Sequence, residues 1–367
     1  MAPPSEESVR QLLHGRKILV AANYFDNMDI LDAHTEQMAS LLTMLKAAGA
    51  EPYVSVYENG SSDDTPAYLR QWGERLAAMN VPHRINIDTA PGWKDAYGAY
   101  LKAHPENSES FTMFRIRFMA QVRNAALKPL EEQPFDDIVF FNDVLFEATD
   151  ILHLLVTENL NYDAVCAMDF NHVTLYDTWV ARDVNGQAMS SFYPFTADME
   201  SISLVLQGKP FPVSSCWNGV VAMKAAPFVR DKVRFRTWGK NEPRMISRRT
   251  PMEKAIYSDS CPASECGLIF EDFAKFGYTN VYMHPSVHVT YCHLDQMLHG
   301  VFGGALNSLS SLFLTIRPHM RIPHQSRVAE CGFERPMMVA TWVYVVLALL
   351  VVVLLRPRAK TDKSPPK

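Results

Sequence analysis

The sequence predicts an α/β fold, with a mostly parallel sheet covered by helices on both faces and a C-terminal transmembrane helix. Two observations predict the sheet. Short apolar runs alternate with stretches of helical periodicity, the order produced when each strand reaches the next through a covering helix. Polar residues then gather just after the apolar runs, at the strand ends where open α/β sheets bind ligands. The third observation is a run of nineteen uncharged residues, 337–355, long enough to cross a bilayer.

Residues 17–22 form a compact apolar run and read as the first strand. Over 34–48, Met38, Leu41, Leu42 and Leu45 recur at helical spacing, and Gly49 supplies the stop. The second strand, 52–60, runs into a polar turn; a helix follows from Thr65 and a third strand over 81–87. Residues 93–110 read as irregular. An amphipathic helix covers 113–127, "DDIVFFND" is the fourth strand and 162–170 the fifth. The second half is more mixed. It holds "SSCWNGVVAM" (214–223), a loop-rich basic stretch over 230–254, a helix over 264–277 and a strand over 280–291. The implied organisation is a tail (1–15), one large domain (16–316), a Pro-bearing linker (317–336), the membrane helix (337–355) and a basic tail (356–367).

Composition narrows the function. With 48% hydrophobic and 20% charged residues in 367, the chain can bury a sizeable core. A net charge of -5 and the lack of a long basic patch argue against nucleic acid as a partner. Six cysteines are too few for a disulfide scaffold, and no Cys-x-x-Cys pair suggests a thiolate metal site. One or two disulfides are open to the chain in a secretory lumen. The first strand is not expected to be a signal peptide, because "KILVAANYF" is short and already polar at Asn23. Arg356, Arg358, Lys360 and Lys363 follow the apolar run and favour a cytosolic C-terminus. The sequon Asn59-Gly60-Ser61 falls inside the turn after the second strand and is not expected to carry a glycan.

Several clusters suit chemistry, each beside a plainer reading. "SVYENGSSDDT" sets Glu58, Asn59 and Asp63 in a strand-end turn able to hold a ribose or base; the same residues can simply cap the next helix. Arg123 and Asn124 can point toward the strand ends and meet a phosphate, or belong to an exposed basic face. In "FFNDV", Asn142 and Asp143 end a buried strand. A carboxylate there suits Mg²⁺ or Mn²⁺ on a diphosphate, and an Asn-Asp pair also closes turns. Trp217 and Asn218 beside Gly219 suit a sugar ring or a core strand start. Asp169 after the fifth strand and Glu265 on the last helix are candidate acids, and His288 is a candidate metal or phosphate contact.

"YENGSSDDT", "RNAAL", "FFNDV", "CAMDF", "CWNGV" and "SECGLIFEDFAKFGYTNVYMHPSV" occur in that order. Together, over about residues 16–292, they resemble the fungal capsule-associated α-1,3-mannosyltransferases, the cryptococcal mannosyltransferase family. The resemblance implies a GT-A-like, Rossmann-like catalytic domain over 16–316 that transfers mannose from GDP-mannose to a mannosyl glycan acceptor with retention. It implies a divalent metal, Mn²⁺ or Mg²⁺, at Asn142 and Asp143, which stand as a one-acid variant of the Asp-x-Asp motif; His288 is added as a further candidate ligand from its place on the last strand. By the resemblance Glu58, Asn59 and Asp63 would hold the nucleotide, and Asp169, Trp217, Asn218 and Glu265 would lie around the transferred sugar. Asp169 and Glu265 would be the catalytic acids. Family members carry an N-terminal anchor, whereas this chain is expected to be a single-pass protein anchored at its other end, in the Golgi or endoplasmic reticulum of a fungus. Two other readings stay open: a donor such as UDP-xylose or UDP-glucose, and a catalytically idle, membrane-anchored sugar-binding scaffold of the same fold.

Overall fold

The computed structural model describes residues 5–296 apart from 90–91, 107–109, 172–173, 240–242, 245–254, 257–262 and 294–295. The first half runs α1 (Glu6–Leu13), β1 (Lys17–Tyr24), α2 (Met28–Ala47), β2 (Glu51–Asn59), α3 (Thr65–Ala78), β3 (His83–Asp88), α4 (Trp93–Ala103), α5 (Phe111–Ala126) and β4 (Asp137–Phe141). It continues through α6 (Ala148–Leu155), β5 (Ala164–Asn171), β6 (Thr174–Leu175), β7 (Arg182–Asp183), α7 (Met199–Leu206), β8 (Phe211–Ser215) and β9 (Val220–Lys224). Last come α8 (Ala226–Val229), the short pair β10 (Pro243–Arg244) and β11 (Ala255–Ile256), α9 (Glu265–Lys275) and β12 (Val281–Thr290).

The main sheet has the order β3-β2-β1-β4-β9-β5-β12-β8-β7, with β6 paired to β5. Its central strands are buried on both faces, which is why β4 reads as an unbroken apolar run. Alternate residues serve two cores. Val20, Ala22, Val139, Phe141 and Val165 face the side of α2, α3 and α6. Leu19, Ala21, Ile138, Phe140 and Cys166 face the side of α5 and α9. Ser110 and Ser264 start α5 and α9 by accepting the amide N–H groups of Met113 and Cys266. At the edge where β1 and β4 begin, the buried Asp137 carboxylate is neutralised by Arg16 (2.6 Å) and Lys224 (2.9 Å).

The structure corrects the predicted fold class in two respects. The sheet is mixed rather than mostly parallel. β1, β2, β3 and β4 are parallel, as are β5 and β12, but β9 lies antiparallel between β4 and β5, and β8 is antiparallel to β12. β9 follows β8 after only 216–219, yet it enters the sheet between β4 and β5, with β5 and β12 separating it from β8. The sequence showed this short apolar segment but not the direction in which it would enter the sheet. The second correction concerns the membrane. Among the described residues no helix is long and apolar enough to cross one, and 337–355 lies outside them. The predicted transmembrane helix thus has no counterpart among the described residues.

Smaller differences follow from packing. Within the predicted tail, α1 buries Val9 and Leu13 against the core. The stretch read as irregular contains α4, which has no buried residue and so shows no strong apolar stripe. Cys166 on β5 and Cys216, just after β8, form a disulfide across 50 residues of sequence. It holds the segment that leads into Trp217-Asn218-Gly219. Replacing both cysteines by alanine should lower unfolding stability by about 2–4 kcal/mol. Urea unfolding of the double variant checks this, and an unchanged midpoint would show that the bridge contributes nothing.

Candidate active site at the carboxyl edge of the sheet

Because β9 is antiparallel, its amino end meets the carboxyl ends of β4 and β5 at one edge. Phe141 pairs with Val220, and the Asn142 N–H donates to the Gly219 carbonyl at 2.8 Å. Gly219 has φ +77, and a Cβ there would meet Val289 Cγ2 at 2.5 Å and Val144 Cγ1 at 3.1 Å, with Asp169 Cβ at 3.4 Å. Only a residue without a side chain lets the three strand ends close in this way.

Arg123 is the centre of the edge. It is 7% exposed, and its Nε donates to Glu265 Oε1 at 3.1 Å while Nη1 donates to Asn142 Oδ1 at 3.1 Å. The guanidinium lies over the Trp217 ring, 4.7 Å from its centre, and the indole Nε1–H donates to the same Asn142 oxygen at 3.2 Å. Glu265 is enclosed in turn: Oε1 also accepts from Cys266 Sγ, and Oε2 accepts from Ser264 Oγ. A buried charge needs this degree of pairing to be tolerated.

A second group of acids lies alongside. Asp169 is fully buried. Its Oδ1 accepts Asn218 Nδ2 at 2.7 Å and the Asp177 N–H at 3.2 Å, and its Oδ2 accepts the Tyr291 hydroxyl at 2.8 Å. Burial, then the charge of Asp177, raises the Asp169 pKa to about 7, against the hydrogen bonds from Asn218 and Tyr291. Asp177 Oδ1 accepts the N–H groups of Trp179 (3.1 Å) and Val180 (3.2 Å), and the Asp177 carbonyl accepts Asn218 Nδ2 at 3.0 Å. Burial raises the Asp177 pKa as well, opposed by those two backbone donors.

The third group is built on the loop after β1. Asn27 Nδ2 donates to Asp143 Oδ2 at 3.0 Å, while the Asn27 N–H donates to Thr65 Oγ1. Asp63 ties the same loop to α3, accepting the N–H groups of Met28 and Thr65. Against burial, these bonds hold its carboxyl below the usual range. Glu58 Oε1 accepts the Ser61 N–H at 2.5 Å, and its Oε2 is sealed without a donor. Behind Asp143, His34 fixes the turn. Its Nδ1 bonds the Val144 carbonyl at 2.6 Å as the donor, so Nε2 receives the Tyr24 hydroxyl at 2.8 Å.

Among the described residues at this edge, the charged groups Arg123, Asp143 and Asp177 each keep an atom with no hydrogen-bond partner that is not sealed: Arg123 Nη2, Asp143 Oδ1 and Asp177 Oδ2. They mark where a ligand can be met. For a divalent cation the fit is narrow: Asp143 Oδ1 is one free carboxylate oxygen, and burial raises the pKa of Asp143, a shift a bound cation would reverse. No group of three or more His, Cys, Asp or Glu placed to hold a metal ion exists among the described residues, so phosphate and water oxygens would complete the sphere.

The remaining predicted residues have different roles. Asn142 does not face a metal, because its oxygen already takes two donors from Arg123 and Trp217. His288 bonds the Pro285 carbonyl through Nε2 and packs on Phe170; a bulge between Met283 and His288 breaks the strand periodicity behind the prediction. Asn124 does not meet phosphate: it pairs both ways with the Phe235 backbone. Trp217 and Asn218 are buried beneath the site rather than open to a sugar, while Asn59 ends β2 nearby. The structure adds Asn27, Asp177, His34 and Tyr291. Asn27 and Tyr291 stand just after strands, the positional signal already used for Asp169. Asp177 lies in an irregular segment and gives no such signal.

Two outcomes follow. Gly219→Ala should destabilise the chain by about 1–3 kcal/mol or more through its positive φ and the Val289 clash, read as a drop in the urea midpoint. His34 supplies a pH dependence. Burial lowers its pKa from 6.5 to about 4, against the Val144 carbonyl bond. The unfolded chain thus protonates first, and this contribution, on the order of 3 kcal/mol, is present above pH 6.5 and lost as pH falls toward 4. Asp169, raised to about 7, acts in the opposite sense. Comparison with His34→Gln isolates the histidine: the stability gap between the two proteins should shrink from pH 7 to pH 4.5. A constant gap would refute the assignment.

A family model described as Cryptococcal mannosyltransferase 1 matches residues 17–272. Alpha-1,3-mannosyltransferase CMT1 of Cryptococcus neoformans var. neoformans serotype D is 33% identical over 202 residues, 48% of this chain and 40% of that protein. The match thus spans well under half of the curated relative. Among solved structures, glucosyl-3-phosphoglycerate synthase of Mycobacterium tuberculosis with Mn²⁺ and UDP-glucose is 14% identical at a TM-score of 0.38, covering 89% of this chain and 86% of that one. The mannosyltransferase PcManGT of Pyrobaculum calidifontis, with GDP-Man and Mn²⁺, is 11% identical at 0.38, covering 92% and 81%. Similarity that low says nothing of this chain's chemistry. The family model is decisive by its extent, since it spans β1 through most of α9 and with them the Arg123, Asp143 and Asp169 groups: the chain belongs to the cryptococcal mannosyltransferase family.

Proposed function

We propose that the chain is a retaining mannosyltransferase that moves an α-mannosyl group from GDP-mannose to a hydroxyl of a mannose-containing glycan, in α-1,3 linkage. One observation carries the reading: a cationic nitrogen and two carboxylate oxygens, Arg123 Nη2, Asp143 Oδ1 and Asp177 Oδ2, lack partners at the ligand-binding edge of a chain in this family. A diphosphate leaving group calls for cationic donors and a sugar cation calls for carboxylates. Arg123 would donate from Nη2 to a phosphate oxygen; its other nitrogens stay fixed by Glu265 and Asn142, so little reorganisation is needed. Asp143 Oδ1 would ligate Mn²⁺ or Mg²⁺. When bound, that ion supplies charge neutralisation of the departing diphosphate. Asn27 holds the other oxygen of Asp143 and so orients the free one. The buried Cys166–Cys216 disulfide supports work in an oxidising compartment, the Golgi or endoplasmic reticulum of a fungus.

A donor panel tests the reading. GDP-mannose with Mn²⁺ should raise the melting temperature more than UDP-glucose or UDP-xylose, because only a ligand of the folded state stabilises it. Radiolabel should pass from GDP-mannose to a mannosyl acceptor, and Asp143→Ala should lower the rate by about 100-fold or more, with the Mn²⁺ effect on binding gone. Stabilisation by a UDP-sugar instead would overturn the donor assignment. Absence of both binding and turnover would identify an idle scaffold.

A further inference from the structure

Three carboxylates, Glu265, Asp169 and Asp177, stand close together beside Arg123, and the hydrogen bonds separate their roles. Glu265 has both oxygens engaged, and its charge is neutralised by Arg123. Asp169 is fully buried, with three donors on its two oxygens. Neither is open to a substrate, because Glu265 is buried and Asp169 is fully covered by the side chains around it. Asp177 differs. It is half-buried, two backbone N–H groups fix Oδ1, and its own N–H and carbonyl are tied to Asp169 and Asn218. The carboxylate is therefore held in one orientation from four points, while Oδ2 has no partner and is not sealed.

Resting on the mannosyl-transfer reading above, we infer that Asp177 is the catalytic carboxylate, its Oδ2 facing the anomeric carbon of the transferred sugar, and that Asp169 and Asn218 are positioning residues that hold it there. In the step, the bond from the anomeric carbon to the phosphate oxygen breaks and its electron pair leaves with GDP. The acceptor hydroxyl oxygen forms the new bond on the same face, and its proton passes to the departing phosphate. Asp177 forms no bond. Its negative charge lowers the energy of the positive charge that develops on the sugar, and it needs no reorganisation because the loop has already aimed it. The arrangement also accounts for the buried Asp169. With Oδ1 shared between Asn218 and the Asp177 N–H, it is a peg for the 176–180 segment rather than a reactant.

The test uses the full chain, with GDP-mannose as donor, a mannosyl acceptor, and GDP binding followed by thermal shift. Wild-type transfer is measured first; no transfer from any GDP- or UDP-sugar would remove the underlying function and this proposal with it. Given wild-type activity, Asp177→Asn should lower kcat on the order of 100-fold or more, with KM for GDP-mannose within about threefold and the GDP shift retained. A kcat within threefold of wild type, or a lost GDP shift, overturns the proposal. Should the Asn variant fail to fold, Asp177→Glu keeps the charge and the acceptor but displaces the oxygen. Its kcat should fall at least tenfold with GDP binding intact, and an unchanged kcat overturns the assignment. Asp169→Asn supplies the contrast, retaining more activity than Asp177→Asn because its role is to support.

Discussion

The site depends on one buried charge. Arg123 is taken out of water at a desolvation penalty of several kcal/mol, and its place is tolerated because Glu265, Asn142 and the Trp217 ring surround it on three sides. Those partners come from α9, the end of β4 and the segment before β9. The guanidinium therefore ties together three elements far apart in sequence: Glu265 lies 142 residues from Arg123 and Trp217 lies 75 from Asn142. Loss of any one partner leaves a charge or a buried acceptor unpaired, so the group is better described as a single network than as separate pairs.

Charge is distributed unequally between the two edges of the sheet, and the difference separates structure from chemistry. At the edge where β1 and β4 begin, Asp137 is closed off by Arg16 and Lys224, with both carboxylate oxygens used. At the opposite edge the pairing is deliberately incomplete, and Arg123, Asp143 and Asp177 each keep one atom free. Unused hydrogen-bonding capacity next to buried charge costs stability, so its concentration at one edge has the signature of a binding function.

Antiparallel β9 makes this edge possible. A parallel strand between β4 and β5 would carry its amino end, and with it Asn218 and Gly219, to the far edge of the sheet. Reversing the strand brings Asn218 to Asp169 and lets Gly219 pass between Val144 and Asp169. The Cys166–Cys216 bridge and the fully buried Asn218 then hold that segment in place.

Much of this was legible in the residues. The alternation of apolar runs and helical periods located β1, α2, β2, α3, α5, β4, β5 and α9. The rule that ligands meet strand ends led to Asp143, Asp169 and Glu58, the residue types beside Gly219 led to the Trp217-Asn218 pair, and the order of the motifs led to the family. Sequence alone also determined which residue types are present, and so the chemistry available: acids, one basic helix and an Asn-Asp pair after a strand. Tertiary structure decided which of these groups are free. The Asn142 oxygen is taken by Arg123 and Trp217, Glu265 is enclosed by Arg123, Ser264 and Cys266, Asn124 is used by the Phe235 backbone, and His288 sits on the Pro285 carbonyl. It also revealed Asp177, whose position depends on an irregular segment pinned to Asp169. A side chain's type is written locally, but whether its last lone pair or N–H is spent depends on partners brought by distant segments, and only the folded chain brings them together.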